Sequence, residues 1–303
     1  MSRPWTPASA IQDWRDTLDL AARIGAPTGA RFAEYLRILE TVRELELAPD
    51  RRAAFAPFRR DERNLRLLYE GAGQMTQLVL ASRVWNRLDP ALLARKLRTV
   101  MKGDPMPEQR GKEDHARDTL VELLAASLLT EVGFSPSITE NEADVELTGH
   151  GFNRVVVECK RPTSIRSALA ASRHQLWKRT RRGEDLGIPV FAIECARDLP
   201  FKRFMARSEQ DVDDAVVSMF DDGDRIVRAL HYQPEGHYRI SKVAPILLFV
   251  VSGAVLLDDS RKTHVYNFTS VRQCALPDGK IPLGLDDALS FERRDGSLLS
   301  DFR

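Results

Sequence analysis

Three residues have types and spacing that could do chemistry together: Asp144, Glu158 and Lys160. Glu158 and Lys160 belong to the stretch Arg154-Val155-Val156-Val157-Glu158-Cys159-Lys160-Arg161-Pro162. A run of valines reads as a strand buried on both faces. Side chains alternate along a strand, so Glu158 and Lys160 share one face and Cys159 takes the other. Pro162 cannot donate to a sheet ladder and ends the strand. Asp144 opens the preceding strand, joined to this one by the short turn Thr148-Gly149-His150-Gly151, so the two pair antiparallel. Neighbouring strands lie about 5 Å apart, close enough for the three side chains to converge. Two carboxylates about 4 Å apart repel by roughly 4 kcal/mol at intermediate dielectric. Without a cation one of them keeps its proton. A divalent ion removes the conflict, and hard oxygen ligands suit Mg²⁺ or Mn²⁺ rather than zinc. The plainer alternative is a Glu–Lys pair capping a core strand. Glu142 and Glu146 share Asp144's strand face by period two. Asp144 is preferred because its short side chain directly precedes Val145, with Glu146 as the reserve ligand.

The elements that must position these residues follow from hydrophobic periodicity. Asp114 to Val132 reads as a helix with Leu120, Leu123, Leu124, Leu128 and Val132 on its apolar side, closed by Gly133. Strands follow near Ser137–Thr139, at Ala143–Leu147 and at the valine run. Thr163-Ser164 caps a helix to about Arg182, and Ile188–Cys195 is another apolar strand. The order helix, three strands, helix, strand argues for a mixed α/β sheet flanked by helices. Beyond it, Gln210–Phe220 and Asp224–Leu230 read as helices, and Ala244–Leu257 and His264–Thr269 as strands. Upstream, the chain is expected to be all helical. A first helix opens at Thr6-Pro7 and runs through Leu20. A second carries Phe32, Tyr35, Leu36, Leu39, Val42 and Leu45 on one face. A third runs from Leu65 to Trp85, with Gly71 and Gly73 as places to bend or break. A fourth starts at Asp89-Pro90. The turn-rich run Lys102 to Pro107 marks the expected boundary between a helical domain, 1–106, and a second domain, 107–303.

At these residues the chain resembles the PD-(D/E)XK nuclease superfamily, the restriction-endonuclease-like enzymes. That family has the same element order, an acidic residue on the second core strand and Glu/Asp-x-Lys on the third. Asp144 and Glu158-Cys159-Lys160 match that pattern, although Ala143 rather than Pro precedes Asp144. The resemblance covers residues 112–196. It implies a restriction-endonuclease-like fold and a metal-dependent nuclease acting on nucleic acid, with DNA expected and RNA as an alternative. Mg²⁺, with Mn²⁺ as its substitute, is the implied cofactor. Asp144 and Glu158 would hold the metal with the Cys159 backbone carbonyl. Lys160 would orient or deprotonate the attacking water, or stabilise the pentavalent phosphorus. Glu122 takes the place of a glutamate that many members carry on the first core helix, and would position a second metal or water. Gln175 takes the place of a glutamine on the helix after the motif. Glu122 could equally be an exposed helix residue and Gln175 a solvated one. Restriction, repair or phage defence are the settings implied.

Between Arg154 and Arg182 lie nine basic residues, among them Arg161, Arg166, Arg173, Lys178, Arg179, Arg181 and Arg182, against the single acid Glu158. That excess suits a phosphate backbone, while the global net charge of +1 says nothing about partners. Trp177 could stack on a base, but core packing is the expected fate of a lone tryptophan. The arginine-rich segment from Arg51 to Arg66 reads first as a solvated helix-linking face. Ile193-Glu194-Cys195-Ala196-Arg197 imitates the motif without its lysine, so Glu194 reads as structural. Three scattered cysteines form neither a disulfide framework nor a zinc spacing, and no Walker loop, dinucleotide fingerprint or nucleophile elbow appears. The longest apolar run is too short to span a bilayer, and no secretory leader is evident. The expectation is a cytoplasmic protein with no membrane partner, acting alone as a homodimer or with a defence or repair protein. The competing expectation is a non-catalytic nucleic-acid-binding or assembly module on a nuclease-like fold.

Overall fold

The valine run forms β3 (Phe152–Lys160), and a seven-stranded mixed sheet is built outward from it. The structure is a computed structural model that describes residues 7–106, 114–137, 144–149, 152–180, 185–194, 196, 199, 205–233, 244–258 and 263–276. On one side β3 pairs antiparallel with β2 (Val145–Gly149), which pairs antiparallel with β1 (Ser135–Ser137). On the other side β3 pairs parallel with β4 (Asp185–Ala192), reached through the crossover helix α7 (Ile165–Arg179). β4 runs parallel to β6 (Ile246–Asp258). β6 forms a long antiparallel hairpin with β7 (Thr263–Ala275) and also pairs with the short β5 (Met205–Ala206). Among the described residues no helix is long and apolar enough to cross a membrane.

Alternation along the strands builds one core on each face of the sheet. Val145, Leu147, Val155, Val157, Cys159, Ile188 and Val190 pack against α6 (His115–Glu131) and the preceding helices. Val156, Phe191, Leu247 and Phe249 face α7 and α8 (Glu209–His231). The upstream helices are α1 (Pro7–Arg23), α2 (Ala30–Leu47), α3 (Arg51–Arg60), α4 (Glu62–Ser82) and α5 (Pro90–Val100), with a 3-10 turn at Trp85–Arg87. Asp89 caps α5 by accepting from Leu92 N at 2.8 Å, and Asp114 caps α6. Gly133, with φ of 95°, closes α6. The core does not break at residues 102–106: buried residues of α1, α2, α4 and α5 join those of α6 and the strands in one cluster.

Several elements differ from expectation. α4 runs unbroken through Gly71 and Gly73, because these glycines serve close approach rather than bending. A Cβ on Gly73 would lie 2.9 Å from the Ser252 carbonyl oxygen of β6, and one on Gly71 would lie 3.1 Å from the Tyr35 ring. Gln210–Phe220 and Asp224–Leu230 are one helix, α8, whose Gly223 lies against Phe249. The arginine-rich segment forms α3 and the start of α4. There Arg59 pairs with Asp258 at the end of β6, and Arg63 with Glu34 at 3.3 Å. Glu46 of α2 accepts from Val265 N at 2.9 Å, tying the upstream helices to β7.

Candidate active site

β3 ends in Glu158 and Lys160 on one sheet face, as a period of two requires, and the two side chains pair at 2.6 Å. Glu158 is 1% exposed. Its other oxygen receives the guanidinium of Arg179, which α7 carries back across that face. Asp144 lies immediately before β2, where the Val145–Val157 register sets it beside Glu158. Its Oδ2 accepts from Cys159 N at 2.7 Å, which fixes the carboxylate against β3.

Burial, and then the charge of Asp144, raise the proton affinity of Glu158, against the opposing pull of Lys160 and Arg179. Lys160 moves upward as well: burial disfavours its charge, but the charge and hydrogen bond of Glu158 outweigh it, so it remains an ammonium. Glu122, on α6, is pushed up to about 7 by burial, with Asp144 adding to the rise and Lys96 opposing it. Its carboxylate is gripped by Lys96 of α5. Among the described residues no three His, Cys, Asp or Glu side chains converge as a metal-holding group. Glu122, expected to position a second metal or water, lies buried beside the site with the Lys96 ammonium of α5 on its carboxylate. The donors that remain are Asp144, Glu158 and the Cys159 carbonyl. These hard oxygens at a strand's end fit Mg²⁺ or Mn²⁺ completed by water. A cation bound at Glu158 has to displace or share a place with Lys160 or Arg179.

No family model, curated protein or solved structure matches this chain.

α7 presents Gln175 half-buried, one turn before Arg179, and it is Arg179 that meets Glu158. Arg161 is corrected as a phosphate contact: its side chain is 9% exposed and lies between Glu194 at 3.2 Å and Glu70 of α4 at 3.4 Å. Glu194, at the end of β4, is accordingly a buried ion-pair partner. Glu146 pairs with Arg154 instead of joining Asp144. Arg166 and Lys178 are exposed on α7, and Arg173 is half-buried. Trp177 is corrected from core to surface, at 68% exposure. Glu142, Arg181 and Arg182 lie outside the described residues.

Sequence reasoning missed Lys96, Glu70 and Asp118. Asp118, one turn before Glu122, is pushed up to about 6 by burial, against the charges of Arg161 and Lys160. The i, i+4 spacing of Asp118 and Glu122 could have revealed it. Lys96 and Glu70 come from helices whose approach leaves no trace in local sequence.

Proposed function

We propose that this chain is a metal-dependent nuclease that hydrolyses phosphodiester bonds of nucleic acid, DNA first, on a restriction-endonuclease-like fold. The observation that carries this reading is the meeting of Asp144, Glu158 and Lys160 at the end of one buried strand. There Asp144 is seated on Cys159 N at 2.7 Å and Lys160 on Glu158 at 2.6 Å. The element order through α6, the first four strands and α7 supports it. Asp144, Glu158 and the Cys159 carbonyl would hold Mg²⁺ or Mn²⁺. When bound, such an ion lowers the pKa of a coordinated water and neutralises charge on the phosphate.

The protein's own groups do the remaining work. Lys160 keeps its proton, which favours orienting water and a phosphate oxygen over accepting a proton. Arg179 brings a second positive charge to the same carboxylate. Arg166 and Lys178 on the open side of α7 suit backbone phosphates. Helices α1–α5 would recognise nucleic acid, sense a signal or join a second copy or a partner protein. Restriction, repair and phage defence are the settings this chemistry suggests.

One observation favours a second reading, a non-catalytic nucleic-acid-binding or assembly module: both oxygens of Glu158 already hold cations. Incubation with plasmid and with single- and double-stranded DNA and RNA, in Mg²⁺, Mn²⁺ or EDTA, separates the two. Metal-dependent cleavage that disappears in Glu158→Gln and Lys160→Ala, with folding intact by circular dichroism, is the expected outcome. Equal binding by all three proteins with no cleavage by any of them overturns the nuclease in favour of the module.

A further inference from the structure

We infer that the open face of α7 is a stacking platform for unpaired bases, so that the nucleic acid it engages is single-stranded or opens into single strand. This rests on the nucleic-acid reading above and names its substrate class. Trp177 is 68% exposed, whereas Trp14 and Trp85 are 0% and 4% exposed. A tryptophan left in water forgoes the burial that normally decides its position.

Its surroundings decide what would cover it. The sequence of α7, IRSALAASRHQLWKR, contains no acid. Its exposed residues are Arg166, Ser167, Ala171, His174, Trp177 and Lys178. Among the exposed residues of α7, Trp177 is accordingly the one indole beside cationic and small polar side chains, with His174 one turn away and Lys178 next to it. A protein or lipid partner is matched by a contiguous apolar patch, and the exposed residues of α7 form none. A polyanion carrying π faces matches both features: phosphates meet the cations and a base meets the indole. In a duplex interior both faces of each base are already stacked, so the indole can be met only by an unpaired or terminal base. Arg179 follows Trp177 by two residues, about 3 Å of helix rise and on the opposite side of the helix. Trp177 thus sits on the outer side of the same helix whose inner side sends Arg179 to Glu158.

The test is a titration of the full chain in EDTA, with a labelled 20-mer of oligo(dT) and with labelled relaxed closed-circular duplex DNA, which has neither loop nor end, at equal phosphate concentration. Intrinsic tryptophan fluorescence reads the stacking, and filter retention of the labelled DNA reads the affinity. We expect oligo(dT) to quench emission. Trp177→Ala should abolish that component and weaken oligo(dT) binding about tenfold, the scale of one base–aromatic stack. Duplex affinity should stay within about twofold, and Trp177→Phe should recover most of the oligo(dT) affinity. Unchanged quenching in Trp177→Ala, equal losses for the two ligands, or a variant-dependent change in sedimentation that reveals a second copy on this face would each overturn the inference. Quenching through Trp177 without metal-dependent cleavage leaves the platform standing and removes the nuclease. Cleavage with single-strand affinity indifferent to Trp177 does the reverse.

Discussion

Two side chains at the site carry separable predictions. Glu122 is pushed up to about 7 from an ordinary 4.5, first by burial. The folded chain therefore binds this proton more tightly than the unfolded one. The associated stability is full below about pH 4.5 and is lost as pH rises through about 7. Glu122→Gln holds the position neutral throughout. Its stability relative to wild type should rise by about 2 kcal/mol between pH 5 and pH 8, measured by urea unfolding. A difference that stays flat across that range means the carboxyl is solvated. Arg179 competes for Glu158 with any divalent ion. Arg179→Gln should therefore bind Mn²⁺ about tenfold more tightly by calorimetry, equivalent to roughly 1.4 kcal/mol, within the worth of one charge-assisted hydrogen bond. Weaker binding in the variant would mean that Arg179 supports the carboxylate instead of contesting it.

At the scale of elements, the strand pattern around the site was legible and the tertiary partners were not. Val155 to Lys160 alternates so regularly that the shared face of Glu158 and Lys160 follows from period two alone. The caps at Asp89 and Asp114 follow from side chains that satisfy the first amides of a helix. Arg161 looked like a surface cation because nothing nearby in sequence reveals Glu70, which is 91 residues away in the chain. Trp177 looked like core because helical periodicity cannot tell which side of a helix a sheet will cover. Gly73 misled for a related reason: a glycine reads locally as a breaker, whereas here it admits a neighbour, and Gly253 of β6 does the same. A Cβ on Gly253 would lie 2.3 Å from the Tyr69 ring, and one on Gly73 would lie 2.9 Å from the Ser252 carbonyl. Gly73→Ala and Gly253→Ala should each cost about 1–3 kcal/mol through overpacking of α4 on β6. Chemical denaturation would measure the loss, and a cost below about 0.5 kcal/mol would show that α4 can shift away from the sheet without penalty.

At the scale of the molecule, helices α1–α5 and the sheet share both a core and its buried charges. Arg117 of α6 is 1% exposed and donates to the Tyr35 hydroxyl of α2 at 2.9 Å. It also lies 3.6 Å from Glu70 of α4. Glu70 meets Arg161 as well, one residue beyond Lys160, so a chain of charges runs from the upstream helices to the end of β3. Arg31 of α2 is fully buried and donates to the Val100 carbonyl. Burial and then the Arg117 charge lower its pKa to about 10. Deleting residues 1–106 would take Glu70 away from Arg117 and Arg161, leaving Arg117 with Asp114 and Arg161 with Glu194. The deletion would also bare Leu248, Val250, Ala254 and Leu256 of β6, on which α4 packs, together with much of α6, an apolar face of the kind that drives aggregation. The fragment 107–303 should therefore be insoluble, or bind a hydrophobic dye and unfold without a cooperative transition, even when the full chain unfolds in one. A monomeric fragment that melts cooperatively would mean that the upstream helices merely rest against the sheet. The site at Glu158 would then be self-sufficient, and the charge chain through Arg161 would not be needed to hold the end of β3 in place.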